Sequence, residues 1–507
     1  MNTDSIVLLE EPSLEFRYGQ RLCDPHSGLM LFGPYGVDTP SHPRNVSFGV
    51  VGTSDGLPLF ENFAATLAEP IVSQAYGDPE ENRKSHLLWP PFPGFEAAFH
   101  SRWVSTPAWS KDIDRQALLE ANEQPDSYRR AFAVANFYLE AIRTASHRDE
   151  NLGLVICIVP DKVWENCRPK SVVQAVGPAS ANRAALRRVQ PDFLNQYDPK
   201  EYEFSVDFRR QLKARAMEFK VPIQIVLEST LDTCAINADD RSSGLTVLSD
   251  RAWNLSTTAY YKAGGKPWRL STAREGVCYV GIAFKKTDPS WESRTACCAA
   301  QMFLDSGAGV VFRSEFGPWY SPFTKQCHLD PDEATKLLEG VLNAYREQEG
   351  PEDLKEIFLH SRSTINDVEF AGYKKSCPPE AKLIGIRVRQ DRDGLRLYRE
   401  GKWPIVRGTT WIVNARTAYL WASGFKPAVL SYDGWEVPVP LRIDIEHGEA
   451  DILQVARDIL GLTKLNYNAC KFGDASPVTI GFSDTVGEIL VSNPTIKNPR
   501  PNFKFYI

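Results

Sequence analysis

The chain has 507 residues, of which 43% are hydrophobic and 24% charged, as expected of a globular protein with more than one domain. Its formal net charge of −6 excludes a protein that is basic over its whole surface, although a local basic channel is compatible with that sum. No segment approaches about 18 consecutive apolar residues and the N-terminal sequence lacks a basic region, so we expect no membrane span, no secretory signal and a cytoplasmic location.

The first half of the chain alternates strand-like and helix-like segments. Residues 1–44 are rich in proline and glycine and predict an extended lead-in. After them, near-continuous apolar runs predict buried strands, and apolar residues at helical spacing predict helices. The predicted strands are 45–53, 151–160 and 221–230, and the predicted helices are 57–71, 127–144, 161–171, 205–219 and 245–263. This alternation is typical of a doubly wound α/β domain with a parallel sheet.

The second half begins with strands and carries its helices later. The predicted strands are 276–286, 309–319 and 356–362, followed by strand and hairpin segments between 382 and 422, and the predicted helices are 333–348 and 448–463. This order is compatible with an RNase-H-like layer packed against the first domain.

The segment AYYKAGGKPWRLS (259–271) places Lys262 and Lys266 on either side of Gly264-Gly265. Two interpretations are open for it. Glycine pairs and surface lysines are typical of a solvated turn. The same residues also suit the close approach of a backbone to an anion, because glycine allows that approach and lysine is a point charge for phosphate.

Three earlier residues supply further candidate ligands for an anion. Trp164 and Arg168 are four residues apart on the helix predicted after a buried strand, so we expect them to share one face, and Gln224 lies in the next strand. In doubly wound sheets, ligands bind at the carboxyl ends of strands, near helix N-termini. An aromatic ring can stack on a base there while arginine and lysine hold its phosphate. Taken singly, Trp164 suits a core position better than a stacking position, Arg168 suits a solvated helix position, and Gln224 could simply point outward.

In chain order, WENCR (164–168), the glutamine of PIQIVLE (222–228) and YYKAGG (260–265) resemble the motif with which Argonaute proteins hold the 5′ end of a guide. The chain is similar to a short prokaryotic Argonaute, of the kind that works beside a TIR-APAZ partner. The resemblance implies a lead-in like the L2 linker over 1–44, a MID domain over 45–275 and an RNase-H-like PIWI domain over 276–507.

The same resemblance implies roles for individual residues. Trp164 would stack on the first guide base, while Arg168, Gln224 and Lys262 would bind the 5′ phosphate. Thr258 stands where the family often has a second lysine, and Lys213 is a candidate replacement. The C-terminal carboxylate of Ile507 would reach the pocket through Mg²⁺; an apolar tail that is merely packed down is the alternative.

A PIWI nuclease needs acidic residues that hold two metal ions about 4 Å apart. By resemblance, the first aspartate should stand at Ala283 and the second at Ser361, and neither strand has an aspartate within two positions of those sites. Acids occur nearby at Asp288, Asp305 and Asp367, outside the expected register. We therefore expect a PIWI domain that does not cut.

A non-cutting PIWI domain implies that another subunit provides the output. The resemblance implies an APAZ-containing partner with a TIR-type NAD hydrolase, and a sirtuin-like NADase or a nuclease is also compatible. The pair would bind an RNA guide, sense single-stranded target DNA of an invader and assemble further on target binding. Basic residues that could line the duplex channel are Lys266, Arg269, Lys285, Lys286, Lys464 and Lys471.

Two other functions remain open at this point. The chain could be a guide-directed nuclease whose acids lie elsewhere, or an unguided phosphate-binding α/β protein. The sequence does not decide between an RNA and a DNA guide, nor does it define the preferred first base.

Overall fold

The computed structural model of the protein describes residues 5–73, 89–147, 152–169, 171, 204–233, 246–286, 296–303, 309–313, 319–321, 326–349, 354–392, 394–434, 436–493 and 502–507. Within these residues, a four-stranded sheet forms the centre of the first half, and a nine-stranded sheet forms that of the second. The prediction of a mixed α/β protein with parallel strands is confirmed.

The elements of the first half extend to residue 270. In chain order they are β1 Ser5–Leu8, β2 Leu14–Glu15, β3 Arg21–Leu22, α1 Pro25–Phe32, β4 Phe48–Thr53, α2 Gly56–Thr66, α3 Phe95–Phe99, β5 Trp109–Ile113, α4 Arg115–Asn122, α5 Ser127–Ser146, β6 Leu154–Val159, α6 Asp161–Asn166, α7 Phe208–Ala216, β7 Ile223–Leu227, α8 Glu228–Leu231, α9 Leu248–Lys262 and β8 Arg269–Leu270.

The four-stranded sheet has the order β5-β4-β6-β7, and all of its strands are parallel. Its central strand β6 is buried along its whole length and divides two hydrophobic clusters. Alternate residues such as Ile156 and Ile158 pack with α2 and α9, whereas Val155 and Cys157 pack with α5 and α7. Helices therefore cover both faces, as the continuous apolar run of this strand predicts.

The elements of the second half complete the chain. They are β9 Val277–Lys286, β10 Ala296–Phe303, β11 Gly309–Arg313, β12 Trp319–Ser321, β13 Gln326–His328, α10 Pro331–Glu349, β14 Glu356–Ser361, α11 Asp367–Ser376, β15 Lys382–Gln390, β16 Thr409–Asn414, β17 Thr417–Leu420, β18 Leu441–His447, α12 Ile452–Leu462 and α13 Val478–Val491. A short 3-10 turn at Phe503–Phe505 lies near the chain end.

The nine-stranded sheet has the order β1-β16-β17-β18-β15-β14-β9-β10-β11. Strand β14 runs parallel to both β9 and β15, and the other neighbouring pairs are antiparallel. Helix α13 crosses β9 closely at Gly281, where a Cβ atom would lie 2.0 Å from the main-chain oxygen of Thr479. This glycine allows the helix to lie directly on the strand that contains Ala283.

The lead-in is more regular than its composition predicts. Asp24 caps helix α1 by accepting from the backbone N–H of Ser27, and Pro25 occupies the first turn. These are ordinary helix-start residues, which the proline and glycine content of the segment obscured. Strand β1 joins the edge of the nine-stranded sheet at β16, and β2 pairs with β8, so this segment contacts both halves of the molecule.

One predicted helix is shorter than expected, and one predicted strand lies partly outside the described residues. The helix predicted over 161–171 ends at Asn166. Of the strand predicted over 309–319, the structure describes β11 at Gly309–Arg313 and Trp319, the first residue of β12, and residues 314–318 lie outside the described residues. The hairpin predicted near 409–422 is present as β16 and β17. Among the helices that the structure describes, none is long and apolar enough to cross a membrane.

Candidate nucleic-acid-binding site

Lys262, the last residue of α9, joins three parts of the chain. Its buried ammonium group donates to the main-chain oxygen of Ile223 at 2.7 Å, to Oε1 of Gln224 at 2.6 Å and to the main-chain oxygen of Ile507 at 2.6 Å. Burial lowers the pKa of Lys262 well below its usual value, and the positive charge of Arg209 lowers it further. In the part of the chain that the structure describes, its three acceptors are two main-chain oxygens, one of them at the chain end, and the amide oxygen of Gln224.

The glycine pair after Lys262 closes a tight turn. Gly264 has φ +107°, which L side chains rarely adopt. A Cβ atom on Gly265 would lie 2.3 Å from the ring of Tyr260. The two glycines are therefore required by the backbone conformation and close packing of the turn. Lys262 contacts the other chain segments through its side chain.

Helix α7 brings two more cations to the same region. Lys213 is buried and donates to the main-chain oxygen of Tyr506 at 3.2 Å, and burial, followed by the charge of Lys262, lowers its pKa. Arg209 lies one turn earlier on the helix and lines a cavity, and burial lowers the pKa of its guanidinium. Asp207 is the N-cap of this helix, and its carboxylate accepts from the backbone N–H of Arg210.

The cavity has a volume of 340 Å³. Trp164, Arg209 and Gln224 line it, together with Arg251 and Thr258 of α9 and Asn468 from the second half. The predicted Trp164 and Gln224 are thus brought together, and the cavity is large enough for part of a nucleotide. Thr258 uses its hydroxyl group to donate to the main-chain oxygen of Asn254 at 2.9 Å, so this hydroxyl is engaged within its own helix.

Arg209 was not singled out from the sequence, although a signal was present. It lies four residues before Lys213 on a helix whose basic face is visible in the sequence. The position of that face relative to the cavity depends on how α7 packs, which spacing within one helix does not reveal.

The helical argument for Arg168 was wrong. Helix α6 ends at Asn166, Cys167 forms its C-terminal cap, and Arg168 is exposed beyond it and does not line the cavity. Pro169 gives the physical reason, because a residue before proline is disfavoured in helical conformation. Trp164 and Arg168 therefore do not share a helix face.

The candidate channel residues are not equally available. Lys464 is buried, with its ammonium group 2.9 Å from Oε1 of Glu11 and 2.7 Å from the main-chain oxygen of Cys23. Lys464 is therefore paired inside the protein and does not reach the surface. This contradicts the prediction that it lines the duplex channel. Arg269 is half-buried against Glu15, and Lys285 pairs with Asp484 and Glu488. Lys471 is exposed.

Two further candidates lie beside these residues. Lys266 is half-buried, and its main-chain oxygen accepts from the backbone N–H of Gly36 at 2.9 Å. The side chain of Lys286 lies outside the described residues.

Ala283 and Ser361 lie near each other on adjacent parallel strands, and Ser361 is the last residue of β14. Ser361 pairs with Ile282, so Ala283 is one step further along β9. Both residues are buried, and neither side chain can ligate a metal ion as a carboxylate does. Of the nearby acids, Asp367 begins α11 with a fully exposed side chain, while Asp288 and Asp305 lie outside the described residues.

The predicted Mg²⁺ site can be tested by its donor atoms. Oxygen atoms of Gln224 and Ile507 converge on one point, where Lys262 provides the positive charge. Hard oxygen ligands suit Mg²⁺, which is often bound by few protein groups together with the phosphates of its substrate. Among the described residues, no three His, Cys, Asp or Glu side chains come together as a metal site. The donors therefore fit Mg²⁺ only in combination with a bound phosphate.

A parallel α/β domain with a basic pocket, followed by an RNase-H-like sheet, defines the MID–PIWI-like fold of Argonaute proteins, and solved Argonaute structures match it. The chain is similar to Clostridium butyricum Argonaute bound to a guide DNA and a 19-mer target DNA, at 16% identity and TM-score 0.64, over 100% of this chain and 55% of that one. It is also similar to A. aeolicus Argonaute, at 14% identity and TM-score 0.56, over 100% of this chain and 56% of that one.

These likenesses establish the fold, and the chain spans little more than half the length of the two Argonautes. Comparison with family models and with curated proteins finds no match.

Proposed function

We propose that this chain binds the 5′-phosphorylated end of a short guide nucleic acid in the cavity beside Lys262. The observation that carries the proposal is the cavity lined by Trp164, Arg209 and Gln224, where the side-chain oxygen of Gln224 accepts a hydrogen bond from Lys262. Among the described residues, the direct acceptors of Lys262 and of the neighbouring Lys213 are main-chain and amide oxygens. A phosphate monoester supplies the missing negative charge, and the indole ring suits the adjoining base.

The guide phosphate also gives Mg²⁺ a role at this end. Ile507 and Gln224 would contribute oxygen ligands beside those of the phosphate. The ion would neutralise phosphate charge when bound. Chelation with EDTA is then expected to weaken the binding of a 5′-phosphorylated guide, while a guide with a 5′-hydroxyl is bound equally with and without the ion.

The proposed complex does not cut its target. Ala283 and Ser361 occupy the positions on adjacent strands where metal-binding acids would be needed, so the two-metal mechanism lacks two of its ligands. Complementary single-stranded DNA pairs with the guide, and an APAZ-containing effector subunit, with a TIR-type NAD hydrolase as the first candidate, provides the response. Pairing supplies the sequence specificity, as it does in other guided systems.

Binding assays on the purified chain test the guide proposal. We expect RNA with a 5′ phosphate to bind at least tenfold more tightly than the same RNA with a 5′ hydroxyl, the effect of about 1.4 kcal/mol. A DNA guide of the same sequence, measured in parallel, identifies the guide type. Equal affinities for the phosphate and hydroxyl forms would refute the pocket.

Two further experiments test the absence of target cleavage and the proposed effector subunit. A guide-loaded complex incubated with a complementary target and Mg²⁺ or Mn²⁺ is expected to yield no product. A guide-dependent product would establish the alternative function of a directed nuclease. Co-purification with the protein encoded next to this chain tests the partner, and NAD consumption upon addition of target tests a TIR-type effector.

A further inference from the structure

We propose that Arg251 selects a guanine base at the first position of the guide. The inference rests on the proposed function, and it assigns a ligand to the end of the cavity that lies away from the 5′ phosphate. Arg251 lies in α9, outside the motif and the basic helix face that indicated the site from the sequence. It acts here as a specificity-determining residue.

The cavity runs along β7 and α9, and two hydrogen bonds between these elements mark its ends. At one end, Nζ of Lys262 donates to Oε1 of Gln224 at 2.6 Å. At the other end, Nη1 of Arg251 donates to the main-chain oxygen of Thr230 at 2.6 Å, and both of these residues line the cavity. Eleven positions of α9 separate Arg251 from Lys262, which corresponds to about 16 Å along a helix. A phosphate bound beside Lys262 therefore lies far from Arg251.

Arg251 has two donors that the protein leaves unused. The residue is only 5% exposed, and its Nη1 is held by the main-chain oxygens of Thr230 and Asp232. Among the described residues, its Nε and Nη2 are buried and have no hydrogen-bond partner. These two nitrogens form one edge of the guanidinium plane, with parallel N–H groups that suit a bidentate acceptor. Because buried donors without a partner cost free energy, a ligand that accepts from both is favoured.

No acidic side chain occupies this pair of donors in the described part of the chain. Burial lowers the pKa of the Arg251 guanidinium, and the nearby charges of Asp232 and Asp250 partly oppose that effect. Asp232 accepts from Arg251 only through its main-chain oxygen, and Asp250 accepts from Asn254 instead. The Nε–Nη2 edge is therefore open to a ligand.

Guanine is the base that fits this edge. Its O6 and N7 are adjacent acceptors, which arginine binds in bidentate fashion. Adenine and cytosine each present an amino donor on the same edge, and uracil presents a single acceptor, O4. A base held in a protein cavity is unpaired, so its whole edge is available. Trp164 lines the same cavity and offers a ring face for stacking.

A phosphodiester group also presents two oxygen atoms to a guanidinium. The cavity wall favours the base, because it includes the apolar side chains of Phe63, Leu227 and Leu255. Leu255 lies four residues after Arg251 in α9 and therefore on the same helix face. Apolar surface of this kind suits a flat base and makes the burial of a charged phosphodiester costly.

A series of 5′-phosphorylated guides that differ only in the first base tests the assignment on the unaltered protein. We expect the guide with guanine to bind about tenfold more tightly than those with adenine, cytosine or uracil. A guide with 7-deazaguanine, which lacks the N7 acceptor, should lose most of this advantage. A methylphosphonate at the first internucleotide linkage removes the charge of that linkage and should leave the preference for guanine unchanged.

Substitutions at Arg251 test the residue itself. Arg251→Gln should shift the preference from guanine to adenine, because glutamine pairs with N6 and N7 of adenine. Arg251→Lys keeps the charge without the paired donors and should reduce the preference. Arg209→Gln is the matched control in the same cavity, and it should weaken the four guides by the same factor. Melting temperatures show whether each variant is folded.

Equal affinity of the unaltered protein for the four first bases would overturn the guanine site. A loss of affinity with the methylphosphonate guide that disappears in Arg251→Gln would assign Arg251 to the guide backbone and would also overturn it. In either result, a preference for a 5′ phosphate over a 5′ hydroxyl leaves the proposed function standing. Loss of that preference for every first base would overturn the proposed function together with the base assigned here.

Discussion

Lys262 donates a 2.6 Å hydrogen bond to the main-chain oxygen of Ile507, although 245 residues separate the two along the chain. The bond attaches the last residues to the end of α9 and to β7, the strand that carries Gln224. It also occupies one of the three donors of the ammonium group. A bound phosphate must therefore replace a partner of Lys262 or share a donor with it. The affinity of the pocket for phosphate depends on this exchange.

The contrast between two arginines tests the geometry of the pocket. Arg209 lines the cavity, whereas Arg168 is exposed beyond the end of α6. We expect Arg209→Gln to weaken the binding of a 5′-phosphorylated guide by about 1.5–3 kcal/mol, the usual range for hydrogen bonds to charged groups. Arg168→Gln is the matched control and should change affinity little. Direct titration of labelled guide measures both, and equal losses would favour the helical arrangement predicted from the sequence.

Guide binding is expected to take up protons. Burial lowers the pKa of Lys262 and of Lys213, and a phosphate placed beside them raises these pKa values again. A pKa that rises on binding means that the complex holds more protons than its free components. Guide affinity therefore increases as the pH falls from the pKa of the lysines in the complex towards their lower pKa in the free protein.

Isothermal titration calorimetry in buffers with different ionisation enthalpies measures the proton uptake. The apparent binding enthalpy should vary with the buffer for a 5′-phosphorylated guide. The same guide with a 5′ hydroxyl serves as the control and should show a smaller dependence. Identical enthalpies in all buffers would show that the lysines keep their protonation state.

His360 is expected to destabilise the protein in mild acid. It is buried beside Ser361, its Nδ1 lies 2.9 Å from Oγ1 of Thr479, and burial lowers its pKa to about 3. The unfolded chain binds a proton near the ordinary histidine pKa of about 6.5, so between these two values the unfolded state holds more protons. Stability therefore falls as the pH falls from about 6.5 towards 3, by up to about 1.4 kcal/mol per pH unit.

Denaturant unfolding of His360→Gln at several pH values isolates this contribution from that of the carboxylates. The variant should lose that part of the pH dependence, whereas His147→Gln, at an exposed position, should retain it. Parallel curves for wild type and His360→Gln would contradict a neutral buried imidazole.

Lys464 is expected to matter for stability. Its buried ammonium group pairs with Glu11, which also pairs with Arg407. Removal of one partner of a buried ion pair typically costs about 3–5 kcal/mol, because a charge is left without its partner. Lys464→Met should therefore lower the free energy of unfolding by this order. The exposed Lys471→Met should stay within about 0.5 kcal/mol of wild type.

Target binding by the folded fraction of these two variants distinguishes the roles. Lys464→Met should bind guide and target like wild type once folded. A selective loss of target affinity without a change in stability would restore Lys464 to the duplex channel.

Much of the fold could be predicted because its signals are local. The apolar run of β6 and the amphipathic pattern of α5 each depend on neighbours within one segment, and both elements are present with bounds close to those predicted. The end of α6 could also have been predicted, since Pro169 marks it. The capping residue Asp24 and Pro25 gave a similar local signal for α1.

The candidate site was only partly predictable. Trp164, Gln224, Lys262 and Lys213 could be proposed because they match a motif or a basic helix face. Arg209 was missed and Lys464 was misassigned, since the sequence does not show which side of a basic helix meets the cavity or which lysine is buried against an acid. Such facts depend on contacts between residues hundreds of positions apart.

The sequence by itself determined the order of strands and helices, the absence of aspartate at Ala283 and Ser361, and the set of basic residues available. The tertiary structure alone decided which of those residues meet. It joined Lys262 to Ile507, brought Arg209 to the cavity, and set Lys285 and Arg362 on the two oxygens of Asp484. The physical reason is that helix and strand patterns arise from short-range periodicity, whereas charge pairing and burial follow from the packing of distant segments.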